Sequence, residues 1–326
     1  MHLKKSGGNI VPFSKQSYSA KALKYLSHAK AENTIKAYKA DWTDYIYWCK
    51  SMNVEPLPTA PNVLVEYISY LADYVKANTI SRKLTAISEA HKAAGIPSPT
   101  LSEDVRLTLQ GIRKSKGTFQ KGKEPIEWQM LKKVPLAFDT SLLGLRSRAI
   151  LLFGFAGAFR RSELVALDCE DLSYHKEGIK VFLGHAKNDP DGAGQFKGIN
   201  RNIDIPQICP VRALEAWLEA ANIKAGPLFR PIKQRSLDMV KSSRLTDQVV
   251  AKTVKEFALR IGADPKRFAG HSLRRGFATS AAKAGAAERH IMKQTGHRSE
   301  KMVRRYIEES DVFSSNGLST IIKSEE

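Results

Sequence analysis

Residues 146–167 read RSRAILLFGFAGAFRRSELVAL, and the architecture turns on how this stretch is read. Its apolar run, Ala149 to Phe159, is the longest in the chain and is well short of the roughly 20 residues needed to span a bilayer. The stretch therefore predicts a buried helix continuing through Leu167. Arg160 and Arg161 follow the run directly, where a charge without a partner is costly. Glu163, three residues after Arg160, can share a helix face with it. Two readings stay open here: an ordinary intrahelical ion pair, or an arginine kept for an anion.

Upstream, residues 1–18 are polar and aperiodic, which predicts a flexible arm. From Asn33, read as an N-cap, Ile35, Tyr38, Trp42, Tyr45, Ile46 and Cys49 recur at helical spacing, with Lys36 and Lys39 on the opposite face. Further helices are expected from Pro61, from Asn78 or Thr79 to before Gly95, and from Ser102 through Ile112. The stretch RKSKGTFQKGK, residues 113–123, carries five cations and two glycines without an apolar period and reads as a linker. Lys114, Lys116, Lys121 and Lys123 suit it to lie along a phosphate backbone.

Downstream, the period changes to strands at Gly178–His185 and Ile199–Ile205 around the polar turn NDPDGAGQFKG. Helices return at Val211–Ala221, Thr246–Ile261, Ser272–Ala284 and Glu288–Thr295. The expected fold is mainly α with a small antiparallel β-sheet, in two domains. The boundaries are a 1–18 arm, a 19–112 helical domain, a 113–124 linker and a 125–326 mixed α/β domain.

Composition narrows the partner. The 52 Lys+Arg against 33 Asp+Glu leave a net charge of +19 and a pI near 9.8, a field that attracts a polyanion such as nucleic acid. A solvated basic surface is the bland alternative. Cys49, Cys169 and Cys209 lie far apart without metal-ligand spacing, which fits free thiols in a reducing compartment. No signal-peptide pattern is evident. A cytoplasmic, nucleoid-associated protein that does not engage a membrane is expected.

Two further segments combine anion-binding residues with helical scaffolding. In AGHSLRRGFATSAA, residues 269–282, Gly270 breaks the chain, Ser272 is read as a cap, and His271 and Arg274 stand three apart at a helix start. Cations in a first turn oppose the helix dipole unless an anion sits among them; a solvated basic helix end is the alternative. In QTGHRSEKMVRRYIEES, residues 294–310, His297 follows a Thr-Gly turn and Tyr306 comes nine residues later on a basic helix. Nearby cations favour the phenolate form of a phenol and hence nucleophilic attack. Otherwise Tyr306 is a packing residue.

Arg160 with Glu163, His271 with Arg274, and the spacing from His297 to Tyr306 together resemble the signature of the tyrosine site-specific recombinases, the phage integrase family that includes Cre-like and Xer-like proteins. YIYWCKSMN, LTAISEAHKAAGIPSPT and CPVRALEAWL are also similar to family segments, so the resemblance covers most of the chain. It implies a helical core-binding domain followed by a catalytic domain. It further implies a lysine on a β-hairpin turn between the two arginine segments: Lys187 in GHAKNDP is favoured, with Lys197 the rival in that turn.

The resemblance implies metal-free, ATP-independent chemistry without a cofactor. HExxH, clustered acidic ligands and GxxxxGK[ST] are all missing from the sequence, in agreement with that. Arg160 and Arg274 would clamp the nonbridging oxygens of a phosphodiester. Tyr306 would attack phosphorus to form a 3′-phosphotyrosine. His271 would assist proton transfer at the tyrosine, and Lys187 would protonate the departing 5′ oxygen. His297, where some members have tryptophan, would donate to a nonbridging oxygen, and Glu163 would orient this shell.

The implied partner is double-stranded DNA with a specific target site, held by a homotetramer on two sites. A Holliday junction would be the intermediate; any accessory protein stays unidentified. Ser81, Arg82 and Lys83 on the third helix, and Gln248 and Lys252 on the Thr246 helix, resemble positions that enter the major groove; contact with phosphates alone is the alternative for each. A tail from about residue 311, with Phe313, Leu318, Ile321 and Ile322, would dock into a neighbouring protomer. A type IB topoisomerase and a noncatalytic DNA-binding regulator are the competing readings.

Overall fold

The computed structural model describes residues 32–118, 122–184, 194–201, 204–233, 236–297, 299–300, 303–304 and 306. Lys121, Lys187 and the tail from 311 lie outside them. Two compact units divide the chain, Met1–Lys121 and Gly122–Glu326.

Unit 1 is helical among its described residues: α1 (Glu32–Ser51), α2 (Pro61–Tyr74), α3 (Ala77–Ala94) and α4 (Glu103–Lys116). Their apolar stripes meet in a core that includes Tyr45, Cys49, Leu64, Tyr67, Ile68, Ile80, Ile87 and Val105. Asn33 lies inside α1, because the helix already includes Glu32. Ser102 caps α4 by accepting from the Val105 amide, and Gly95 ends α3 in the left-handed conformation at φ 75°. Helix α4 runs on to Lys116, so the first four residues of the expected linker are helical.

Unit 2 forms around α7 (Leu142–Ala156), which follows the short helices α5 (Trp128–Leu131) and α6 (Val134–Ala137). Ala149, Ile150, Leu151, Leu152, Phe153 and Phe155 are all buried. A helix apolar on every side belongs at the centre of a core. The long helix expected through Leu167 is broken after Ala156: Ala158 takes φ 46°, and a new helix, α8 (Arg161–Ala166), begins. The left-handed region costs an alanine about 1–2 kcal/mol, so the surrounding contacts must impose this turn.

Strands β1 (Leu172–His175), β2 (Gly178–Leu183) and β3 (Gln195–Asn200) follow in one antiparallel sheet of that order, with Val181 opposite Lys197 and Leu183 opposite Gln195. The third strand begins four residues earlier than its β-rich pattern suggests. Next come α9 (Pro210–Ala220) on α7, a hairpin β4 (Ile232–Lys233) and β5 (Ser236–Val240), α10 (Asp247–Arg260), α11 (Ser272–Lys283) and α12 (Glu288–Thr295). Neither β1 nor the second hairpin shows in the hydrophobic pattern; β1 is four residues long and mostly exposed, and β4 spans only Ile232–Lys233. The fold is mainly α with small antiparallel sheets.

The segment entering unit 2 lies against α11. Its Ile126 amide donates to the Ser272 carbonyl at 2.9 Å, and a Cβ on Gly276 would come within 1.8 Å of the Ile126 carbonyl oxygen. Neither backbone can yield cheaply. Gly276→Ala is expected to lower the stability of unit 2 by about 1–3 kcal/mol, the range for overpacking a close contact, measured by urea denaturation.

Candidate active site

The turn between α7 and α8 ends in Arg160, the N-cap residue of α8. Glu163, at the third helical position, accepts from the Arg160 amide at 2.9 Å and from its guanidinium Nη1. An acid at this position satisfies an orphan amide and complements the helix dipole. The ion pair expected from the spacing is therefore present, as a helix cap rather than along one helix face. Burial works to raise the Glu163 pKa, but the Arg160 amide, Lys197 and the Arg160 guanidinium outweigh it and hold the carboxyl below its ordinary value. Arg161 diverges from its neighbour, running past Gly270, where a Cβ would overlap its side chain, to within 3.7 Å of Asp247 on α10.

Helix α11 supplies the second arginine. His271 occupies its N-cap, is exposed, and accepts the Arg275 amide at its carbonyl. Ser272, expected as the cap, is the first helical residue, and its hydroxyl accepts from the Ala269 amide. Arg274 is only 4% exposed. Its Nη1 donates to the Ala158 carbonyl at 3.0 Å, while Nη2 has no hydrogen-bond partner among the described residues. Burial and the nearby Arg160 lower its pKa to about 10, against the opposing pull of Glu163 and Tyr306. It remains a cation at neutral pH.

Beyond α12, Gly296 takes the left-handed conformation at φ 64° and turns the chain back, bringing His297 and Tyr306 together with ring centroids 6.0 Å apart. Tyr306 packs on Ala278, Ile291 and Val303, and the Arg275 guanidinium lies 6.0 Å from its ring centroid. Gln294 donates to the carbonyls of Ala156 and Gly198, pinning α12 to the end of α7 and to β3.

His297 is neutral at pH 7. Burial, with Arg274, Arg160 and Lys197 nearby, lowers its pKa to about 4 although Glu163 opposes the shift. The Thr295 hydroxyl donates to the Ile291 carbonyl at 2.6 Å, so its oxygen accepts from His297 Nδ1 at 2.9 Å. The proton of the neutral ring therefore sits on Nδ1, and Nε2 is an acceptor. To donate to a phosphate oxygen, as expected from the sequence, this ring must first take up a proton.

Four cationic or titratable groups from separate segments, Arg160, Lys197, Arg274 and His297, thus interact around Glu163, with Tyr306 within electrostatic reach of Arg274. Lys197 was read as part of a polar turn; it is 2% exposed on the inward side of β3. The signal was available in the alternation with Ile199, two residues on and also buried. Lys187 belongs to the connection that leaves β2 at Leu183 and returns at Gln195, whose side chain packs on Gly296 beside His297.

The profile of the phage integrase family matches residues 129–312, a span that contains this whole cluster. The chain belongs to the phage integrase family. It is 47% identical over 309 residues to the integrase/recombinase xerD homolog of Selenomonas ruminantium, covering 92% of this chain and 88% of that protein. It is 22% identical over 301 residues to recombinase cre of Escherichia phage P1, covering 87% and 86%. Its fold is similar to that of lambda integrase, solved as a tetramer bound to a Holliday junction, with a TM-score of 0.57 at 14% identity over 87% of this chain and 76% of that one.

The surface residues expected on DNA separate into two groups in this tyrosine recombinase. Lys36, Lys39, Lys114, Lys116, Lys123, Gln248 and Lys252 are exposed. Lys83 is not: it is 6% exposed, its ammonium 2.7 Å from Asp44 and 3.5 Å from Asp41. Ser81 also has its hydroxyl engaged, donating to the Ala77 carbonyl and accepting from Arg113. Of that trio Arg82 alone is exposed, and it pairs with Asp41. The resemblance placed these three side chains towards the major groove, whereas Asp41 and Asp44 on α1 draw Lys83 inward.

Nitrogen-detected NMR of the imidazole rings at pH 7 should find His297 neutral with its proton on Nδ1. Thr295→Val removes the acceptor and is expected to shift the ring towards the Nε2–H tautomer; an imidazolium in the DNA-free protein would contradict the assignment.

Proposed function

We propose that this protein is a site-specific recombinase that cleaves and rejoins DNA strands through a 3′-phosphotyrosine on Tyr306. Arg274 carries the reading. A guanidinium removed from water, tied by one arm to Ala158 and unpartnered at Nη2 among the described residues, next to further cations, is an arrangement in want of an anion. Arg160 and Arg274 can hold the two nonbridging oxygens of a phosphodiester through charge-assisted hydrogen bonds, which strengthen as charge gathers on those oxygens in the transition state.

In this reaction the Tyr306 oxygen bonds to phosphorus and the bond to the 5′ oxygen breaks. His271, at the exposed start of α11, assists removal of the phenolic proton, and Lys187 protonates the departing 5′ oxygen. His297 takes a proton at Nε2 as the phosphate enters, since the anion offsets both the burial and the cations that keep the ring neutral, and then donates to a nonbridging oxygen. Glu163 keeps Arg160 oriented throughout. The phosphotyrosine conserves the energy of the broken bond, so the 5′ hydroxyl of a second strand can reseal it. Four protomers on two sites would pass the strands through a Holliday junction, with the exposed lysines of both units on the DNA backbone.

Covalent capture from a randomised duplex library on a denaturing gel tests the reading. Wild-type protein should yield adducts, and Tyr306→Phe should retain gel-shift binding to the captured duplexes while forming none. Adduct formation by Tyr306→Phe would remove the tyrosine from its role. Plasmids bearing two captured sites should give recombinant products; cleavage without exchange would point to a topoisomerase.

A further inference from the structure

Lys197 lies on the buried side of β3, opposite Val181, two residues before the buried Ile199. A lysine in such a place loses its hydration and is kept only with compensating contacts. Its Nζ donates to the Gly157 carbonyl at 2.8 Å and lies 4.9 Å from the Phe159 ring centroid. Both partners belong to the turn between α7 and α8. Between them stands Ala158, held at φ 46°, whose carbonyl accepts from Arg274. Two cations from different elements thus grip consecutive carbonyls of a strained turn that leads directly into Arg160.

We propose that Lys197 is a positioning residue of the strand-cleavage centre, whose ammonium clamps the Gly157–Phe159 turn and so sets Arg274 and Arg160 in place for the phosphate. The inference rests on the strand-cleavage reading and assigns Lys197 a task separate from protonation of the leaving oxygen. The charged and titratable groups that face it are Glu163 on α8, Arg160 at its cap, Arg274 on α11 and His297 after α12. Glu163 alone among these is an anion.

A pH signature follows. Burial, followed by Arg274 and Arg160, lowers the Lys197 pKa to about 7 despite the opposing Glu163. As pH rises through that value the amine keeps an N–H for Gly157 but loses its attraction for Glu163 and for the face of Phe159, and the turn loosens. Cleavage is supported on the acid side of this ionisation and lost on the alkaline side. A bound phosphodiester favours the ammonium and moves the midpoint upward. His297, with its pKa near 4, titrates well below this window in the free protein.

The experiment measures single-turnover adduct formation from pH 6 to 9.5, on a nicked duplex captured from the randomised library by the wild-type protein. The wild type should lose activity along an alkaline limb. Lys197→Met and Lys197→Gln should bind the duplex as the wild type does, form adduct about 10- to 100-fold more slowly at pH 7, as misplaced arginines would, and lack the limb. Their melting temperatures should stay close to that of the wild type, because the lost hydrogen bond to Gly157 is offset by removal of a buried charge, while Arg160 still pairs with Glu163.

Variants that cleave at the wild-type rate, or that melt earlier and slow equally at every pH, overturn the inference and leave the strand-cleavage reading intact. A wild-type profile without the limb does the same and requires no variant to fold. If the wild type captures no duplex at all, the strand-cleavage reading fails and this inference with it.

Discussion

One buried carboxylate, that of Glu163, makes the site possible. Arg160, Lys197 and Arg274 approach one another in the interior of unit 2, and burying like charges together without compensation would be prohibitive. Glu163 offsets all three: it accepts from Arg160 directly and attracts Lys197 and Arg274. The balance remains positive, and that remainder is what an entering phosphate can neutralise. Burial, reinforced by the same excess, keeps His297 uncharged at neutral pH.

The apolar helix α7 supplies the rigidity this balance needs. Because its side chains from Ala149 to Phe155 are buried on every side, the point where it ends is held from several directions, and the Ala158 turn can be kept in an unfavourable conformation. Lys197 from β3, Arg274 from α11 and Gln294 from α12 all donate to carbonyls of residues 156–158. These bonds satisfy the last carbonyls of a helix that has nowhere to continue. They also bring segments distant in sequence to one place, so stability of the helix end and placement of Arg160 and Arg274 share the same hydrogen bonds.

Unit 1 shows the opposite use of charge. Asp41 and Asp44 on α1 engage Arg82 and Lys83 on α3, so basic residues that the resemblance put on a DNA-facing surface partly serve to join two helices. Exposure of Lys36, Lys39, Lys114 and Lys116 still leaves this unit a basic surface. A positive charge written in a helix is thus no guarantee of a nucleic-acid contact; what matters is whether a carboxylate on the neighbouring element reaches it first.

The sequence by itself determined the helical character of both units, because 3.6-residue periodicity is a local property, and it grouped Arg160, His271, Arg274, His297 and Tyr306 as one candidate set through their resemblance to a family signature. Of these the structure brings Arg160, Arg274, His297 and Tyr306 within electrostatic or ring contact of one another. The sequence did not reveal the break at Ala158, since an alanine in an apolar run favours helix, and only hydrogen bonds from other elements impose the left-handed turn. Nor did it separate Lys197 from the polar residues around it: the apolar pattern of β3 becomes recognisable at Ile199, while pairing with β2 starts at Gln195 and turns the lysine inward. Strand boundaries, burial of a charge and the proton position on His297 are set by groups far away along the chain. Those the tertiary structure decided, because desolvation and hydrogen bonding depend on what surrounds a residue in space.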